Sequence, residues 1–131
     1  MTVHILLIED DHGIAKILEL ELGEAKYQIS IAHDGMSGLQ MAKINSPGLI
    51  LLDWELPFLT GLEICLKLRS SGSTIPIIFM TAKCGPEYQR RALEAGANDY
   101  IMKPFYMQEL LTKLAIHLHE HQSQNLQMLS C

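Results

Sequence analysis

Acidic side chains follow two apolar segments of this chain, and together they could bind a cation. Glu9 and Asp10 come directly after the run Ile5–Ile8, and Asp53 comes directly after Leu49–Leu52. If the two runs are neighbouring strands, their carboxylates meet in one crevice and repel one another unless a cation or protons intervene. Mg²⁺ prefers a few hard oxygen ligands together with water and phosphate oxygens. The pattern therefore predicts an Mg²⁺ site held by Glu9 and Asp10 beside Asp53.

A hydroxyl and an ammonium group follow two later apolar runs. Thr81 comes directly after Ile77–Met80, and Lys103 comes after the last run and before Pro104. The hydroxyl could donate a hydrogen bond to a phosphoryl oxygen, and the ammonium could neutralise a phosphoryl group during its transfer. A cis bond before Pro104, which costs little, would direct the lysine inward. Asp53 between Mg²⁺ and Lys103 could attack phosphorus and form an acyl phosphate.

Five short runs rich in Ile, Leu and Val predict the strands that position these groups: Val3–Ile8, Tyr27–Ala32, Leu49–Leu52, Ile75–Met80 and Asp99–Met102. Several runs are apolar without alternation, which is typical of strands buried on both faces of a parallel sheet. Helical spacing separates the runs, so right-handed crossovers predict a flavodoxin-like α/β fold of three layers, α/β/α. Its five-stranded parallel sheet has the order 2-1-3-4-5, with a ligand crevice at the carboxyl ends of strands 1 and 3.

Cap signals and apolar spacing predict the helix ends and faces. Asp11 is expected to cap the first helix, Gly23 to end it, and Asp34 to open the second. In the last helix one apolar face comprises Met107, Leu110, Leu111, Leu114 and Leu118. In the first helix the predicted buried stripe comprises Ile14, Ile17, Leu18 and Leu22.

Size and composition limit the classes of function. The chain has 131 residues, which predicts one domain over residues 1–121 and a tail or the start of a linker over residues 122–131. Its net charge of −5 and its lack of a basic run predict that this chain does not bind nucleic acid directly. Three cysteines without metal-ligand spacing, and the lack of a signal sequence or a long apolar segment, favour a cytoplasmic protein without a membrane span.

At the residues named above, the chain resembles the receiver domain of bacterial-type response regulators, the phosphoaccepting part of two-component signalling. The likeness runs from Ile5 to about Leu118. The matching stretches are Leu6–Asp11, Leu51–Asp53 with Leu56-Pro57 and Gly61, Met80–Ala82, and Gly96–Phe105.

This resemblance implies a role for each site residue. Asp53 is the phosphoacceptor, and Glu9, Asp10, Asp53 and the backbone carbonyl of Glu55 hold Mg²⁺. Lys103 contacts the phosphoryl group, and Thr81 and Tyr100 form the switch pair. Phosphorylation by a histidine kinase or phosphotransfer protein changes the surface of helix 4, strand 5 and helix 5. Such a domain assists its own phosphoryl transfer and dephosphorylation but is not an enzyme.

The last third most resembles receivers that precede a winged-helix DNA-binding domain, which implies an output in transcription. Those receivers dimerise through helix 4, strand 5 and helix 5, and Arg90, Asp99, Glu109 and Lys113 match charged positions of that interface. Glu109 and Lys113 could equally be an ion pair within one helix. A kinase would dock on the first helix, where Ala15 and its exposed neighbours are candidates for contact.

One departure from the family pattern and one alternative function stay open. Trp54 and Glu55 place a bulky ring and an extra carboxylate beside the acceptor. The main alternative function is a receiver-like interaction module that works without phosphorylation. A dehalogenase-type phosphatase is disfavoured, because it would need Asp-x-Asp where this chain has Asp53-Trp54-Glu55. A flavodoxin-type carrier would need phosphate-binding donors where the first acidic cluster lies. His117, His119 and His121 are interpreted as a solvated helix end.

Overall fold

A computed structural model describes the backbone of residues 2–130 and the side chains of residues 2–118. Five strands alternate with five helices: β1 His4–Ile8, α1 His12–Glu24, β2 Gln28–Ala32, α2 Gly35–Asn45, β3 Leu49–Asp53, α3 Gly61–Ser70, β4 Ile77–Thr81, α4 Pro86–Glu94, β5 Asp99–Met102 and α5 Met107–Ser130. All strand pairs are parallel, and the order is β2-β1-β3-β4-β5. The predicted fold class and strand order are confirmed.

The sheet separates two apolar clusters, one under each layer of helices. Alternate residues of β1 face opposite sides: Leu6 and Ile8 pack with α2, α3 and α4, whereas Ile5 and Leu7 pack with α1 and α5. Every residue of β3 and β4 is buried. Burial on both faces explains why the sequences of these strands are continuously apolar. Because all the paired strands are parallel, their carboxyl ends lie at one edge of the sheet.

Helix caps set the starts of α1 and α2 next to that edge. Asp11 accepts a hydrogen bond from the amide of Ile14 at 3.0 Å, and Asp34 accepts one from the amide of Ser37 at 2.8 Å. Both caps were predicted. The predicted stop at Gly23 was early, because α1 continues to Glu24 and the chain turns at Lys26, whose φ of 76° is left-handed.

The buried face of α1 differs from the predicted one. Ala15, Leu18 and Leu22 pack into the core, whereas Ile14 and Ile17 are 36% and 56% exposed. Ala15 is therefore no candidate for a docking contact, and the two isoleucines take that place. Both faces carry apolar residues at helical spacing, so periodicity alone did not fix the rotation of the helix.

Helix α5 buries its predicted apolar face against β1, β3 and α1. The helix continues to Ser130, through the segment predicted as a tail, and the domain boundary at residue 121 stays a prediction. His117 is not solvated as predicted, because its Nε2 lies 2.7 Å from Asp99 Oδ2. The side chains of His119 and His121 lie outside the described residues. Within the described part of the chain, no helix is both long enough and apolar enough to span a bilayer.

Candidate functional site

The carboxyl ends of four strands bring the residues predicted for metal binding and phosphoryl transfer into one crevice. Its walls come from the ends of β1, β3, β4 and β5 and from the start of α1: Glu9, Asp10, Asp11, Ile14, Asp53, Glu55, Thr81, Ala82 and Lys103. Asp53 and Thr81 are the last residues of their strands rather than the first residues of loops. The sheet therefore holds their backbones in place.

Lys103 is the counter-charge of the crevice. Its Nζ lies 2.5 Å from Glu9 Oε1 and 3.6 Å from Asp53 Oδ2. Lys103 and Glu9 are 94 residues apart in the sequence. The Lys103–Pro104 peptide bond is cis, as the sequence analysis allowed. The backbone amide of Lys103 also donates to the carbonyl of Thr81 at 2.8 Å. The ammonium group thus lies beside both buried carboxylates.

The electrostatics of Asp53 are unusual for an aspartate. Burial, a hydrogen bond shared with Glu9 and the charge of Glu9 together raise the pKa of Asp53 from 3.8 to about 7, although Lys103 opposes the change. The amide of Glu55, at 3.4 Å from Asp53 Oδ1, also favours the ionised form. Without a further cation the crevice therefore holds a proton at Asp53 up to nearly neutral pH.

The acidic groups fit a small divalent cation. Glu9, Asp10 and Asp53 each offer one carboxylate oxygen, and the three oxygens all lie within 4.8 Å of one another. Glu9 and Asp53 are buried, whereas Asp10 is exposed. Hard oxygen donors with one open side suit Mg²⁺, which keeps several of its waters. The cluster can hold a metal ion, and the predicted contribution of the Glu55 carbonyl stays a prediction.

Thr81 and Tyr100 are linked through one residue that the sequence analysis missed. The amide of Lys83 donates to Thr81 Oγ1 at 2.9 Å, and the hydroxyl of Tyr100 donates to the carbonyl of Lys83. Thr81 is 1% and Tyr100 7% exposed, so both side chains lie inside the protein. No local pattern marked Lys83, because its role depends on contacts with residues distant in sequence.

The two residues after Asp53 point in different directions. The ring of Trp54 is buried and packs against Phe79 and Tyr88, with ring centroids 5.1 and 5.7 Å away. It therefore lies under α4 rather than in the crevice. The carboxylate of Glu55 does line the crevice, where its Oε1 lies 2.8 Å from Lys83 Nζ.

Three of the four residues predicted for a dimer interface have partners within the chain. Arg90 Nη1 lies 3.0 Å from Glu94 Oε1 in α4. Asp99 pairs with Lys113 at 3.1 Å and with His117 at 2.7 Å. Burial raises the pKa of Asp99, but the hydrogen bonds from His117, the Tyr100 amide and Lys113 together lower it below its usual value. Lys113 thus pairs with Asp99 rather than with Glu109. The dimer stays a prediction.

The fold and the crevice define a flavodoxin-like α/β domain with an acidic cation site at the strand ends. Residues 5–115 match the family model described as the response regulator receiver domain. The chain belongs to this family and is thus a receiver domain of two-component systems.

Sequence relatives include two proteins named as response regulators. ArlR of Staphylococcus saprophyticus is 43% identical over 93% of this chain and 55% of its own length. MprA of Mycobacterium ulcerans is 39% identical over 87% of this chain and 49% of its own length. YkoG of Bacillus subtilis, named an uncharacterized transcriptional regulatory protein, is 41% identical over 90% of this chain and 52% of its own length. The chain spans about half the length of these relatives.

Solved receiver structures have the same fold. A CheY-like receiver domain protein of Methanospirillum hungatei superimposes with a TM-score of 0.89 at 29% identity, covering 95% of this chain and 99% of that one. The BeF3-activated N-terminal receiver domain of Klebsiella pneumoniae RstA superimposes with a TM-score of 0.83 at 30% identity, covering 88% and 97%.

Proposed function

We propose that this domain is a Mg²⁺-dependent phosphoacceptor, phosphorylated on Asp53 by a histidine kinase or phosphotransfer protein. The observation that supports this function is the convergence on Asp53 of the buried carboxylate of Glu9 and the exposed carboxylate of Asp10, which follow β1, and of the ammonium group of Lys103, which follows β5. Lys103 and the acidic cluster are far apart in sequence, so nothing but the fold brings them together.

In this reaction a carboxylate oxygen of Asp53 forms a bond to phosphorus as the bond between phosphorus and the donor nitrogen breaks. The leaving imidazole keeps the electron pair of that bond and takes up a proton. Mg²⁺ held by Glu9, Asp10 and Asp53 would neutralise charge on the phosphoryl oxygens. Lys103 supplies a second positive charge beside Asp53, and the Thr81 hydroxyl can donate to a phosphoryl oxygen. The domain thus contributes to a transfer that a partner protein begins, and we infer that it is not itself an enzyme.

The partner surface lies beside the crevice on α1 and the β5–α5 loop. Ile14 and Ile17 of α1 and Tyr106 of the loop expose apolar surface there, with Tyr106 85% exposed. A helix of a kinase or phosphotransfer protein could bury these side chains while its phosphohistidine enters the crevice. Since relatives of about twice the length include a named transcriptional regulator, we infer that the output is transcription and that a DNA-binding domain, of the winged-helix type that the sequence resembles, carries it out.

Intact-protein mass spectrometry after incubation with acetyl phosphate tests the proposal. The expected result is one phosphoryl adduct that needs Mg²⁺, is cleaved by hydroxylamine, and is lost in Asp53→Asn. Asp10→Asn should form much less adduct at the same Mg²⁺ concentration, because it lacks one of the proposed metal ligands. Asp34→Asn is a matched control, because it removes a carboxylate that caps α2 and does not line the crevice.

An adduct that persists in Asp53→Asn would place the phosphoryl group elsewhere. If no adduct forms with either acetyl phosphate or a competent kinase, the domain acts as an interaction module without phosphorylation. Homodimerisation through α4, β5 and α5 can be followed in the same samples by native mass spectrometry.

A further inference from the structure

Lys83 contacts both switch residues, Thr81 and Tyr100, through its backbone. Its amide donates to Thr81 Oγ1 at 2.9 Å, and its carbonyl accepts from the Tyr100 hydroxyl. The position of the Lys83 peptide groups therefore decides whether the buried hydroxyl of Tyr100 has a partner. A buried hydroxyl without a partner is costly, so Tyr100 stays inside only while this carbonyl is in place.

The side chain of Lys83 ties the same residue to the loop that follows Asp53. Its Nζ lies 2.8 Å from Glu55 Oε1 and 5.6 Å from the centroid of the Tyr88 ring. The amide of Glu55, in turn, donates to Asp53 Oδ1 at 3.4 Å. One residue thus joins the acceptor loop, the start of α4 and the hydroxyl of Tyr100.

We propose that Lys83 is a positioning residue of the switch. Its ion pair with Glu55 holds the β4–α4 loop so that the Lys83 carbonyl accepts from Tyr100. This bias favours the buried position of Tyr100 before any phosphoryl group is present. The inference deepens the proposed function, on which its meaning for signalling rests, but the bias itself is a property of the unphosphorylated domain.

The expected size of the bias is modest. The Glu55 side chain is 69% exposed and that of Lys83 34% exposed, so water screens the pair. Exposed pairs shift an equilibrium by about two- to five-fold, which is enough to change the population of a switch without locking it. Breaking the pair should therefore shift the equilibrium between the buried and the exposed position of Tyr100 toward the exposed one by about two- to five-fold, while the domain stays folded.

Fluorine NMR of protein labelled with 3-fluorotyrosine measures this population directly. The chain has four tyrosines, and Tyr100→Phe assigns the signal of interest. Tyr106, which is 85% exposed, gives an internal reference for a ring in water. Spectra are recorded without a phosphodonor for the wild type, Lys83→Glu, Glu55→Lys and the double variant with both charges exchanged. Lys16→Glu is the matched control, because it breaks the exposed pair with Glu19 on α1.

Both single variants should shift the Tyr100 signal toward the reference. The exchanged double variant should restore it. In two further spectra, Lys83→Arg, which keeps the positive charge, and Lys16→Glu should both leave the signal at its wild-type position. The inference is overturned if the single variants leave the Tyr100 signal in place, if the exchange does not restore it, or if the wild-type ring is already in water. The adduct assay separates the two proposals: without an adduct the proposed function fails while a restored signal still supports the positioning role.

Discussion

Replacing Asp53 by asparagine should stabilise the domain when no divalent cation is present. Asp53 is buried beside Glu9, whose carboxylate it faces across the crevice, and Lys103 neutralises only part of the combined charge. Asparagine has nearly the same shape, so it keeps the packing at the end of β3 while it removes one of the two buried charges. The variant that abolishes the proposed acceptor is thus expected to be the more stable protein.

The magnitude follows from the pKa of Asp53. A rise from 3.8 to about 7 corresponds to at most about 4 kcal/mol of lost stability at alkaline pH. The Asp53 side chain is 10% exposed and the crevice is open, so water reduces the effect, and we expect a gain of about 1–3 kcal/mol in the variant.

The sign of the pH dependence is also fixed. Because the folded-state pKa of Asp53 lies above its unfolded value, the folded domain binds more protons between about pH 4 and about pH 7. The contribution of Asp53 to the free energy of unfolding of the wild type is fully present below about pH 4 and is lost as the pH rises through about 7. The advantage of the variant should therefore shrink at about pH 5 to roughly two fifths of its value at about pH 8.

Urea denaturation followed by circular dichroism in EDTA measures both quantities. The control is Glu24→Gln, which removes one exposed charge at the end of α1 and should change the free energy of unfolding by less than about 0.5 kcal/mol at either pH. No gain in Asp53→Asn at pH 8, or an equal gain at pH 5 and pH 8, would refute the reasoning. An equal gain in the control would trace the effect to net charge.

Three further substitutions, measured by urea denaturation, test the turns and helix contacts that support the site. Lys26→Gly should raise the free energy of unfolding by about 0.5–1 kcal/mol, because glycine adopts the φ of 76° without strain, and a loss would contradict this. Gly61→Ala should lower it by about 1–3 kcal/mol and slow adduct formation, since its Cβ would lie 2.3 Å from the Asp53 carbonyl oxygen; unchanged stability would mean that α3 can move away. Arg69→Met should cost about 2–3 kcal/mol, because the guanidinium donates to the Gly96 and Ser73 carbonyls and to Asn98 Oδ1; a neutral result would show that water replaces these bonds.

Local chemistry made most of the fold predictable. Asp11 and Asp34 cap their helices, and the uninterrupted apolar runs form strands buried on both faces. Because parallel strands end at one edge, placing Glu9, Asp53 and Lys103 at strand ends was enough to predict that they meet. The rotation of α1 was not predictable in the same way, since apolar residues occupy both of its faces.

Contacts between distant residues account for what the sequence analysis missed. The side chain of Lys83 could have pointed into solvent, and nothing near it in sequence showed that Glu55 would be its partner. Asn98 is a similar case. Its Oδ1 accepts from both Arg69 and the amide of Ile77, so an uncharged side chain anchors the turn before β5.

The direction of Trp54, by contrast, follows from the geometry of β3. Successive side chains of a strand point to opposite faces, so Trp54 shares a side with Ile50 and Leu52. Asp53 and Glu55 share the other side and line the crevice. The same alternation that buries the large ring under α4 therefore leaves the acceptor and the extra carboxylate together. A substitution of Trp54 should act through α4, whereas one of Glu55 should act within the crevice and through Lys83.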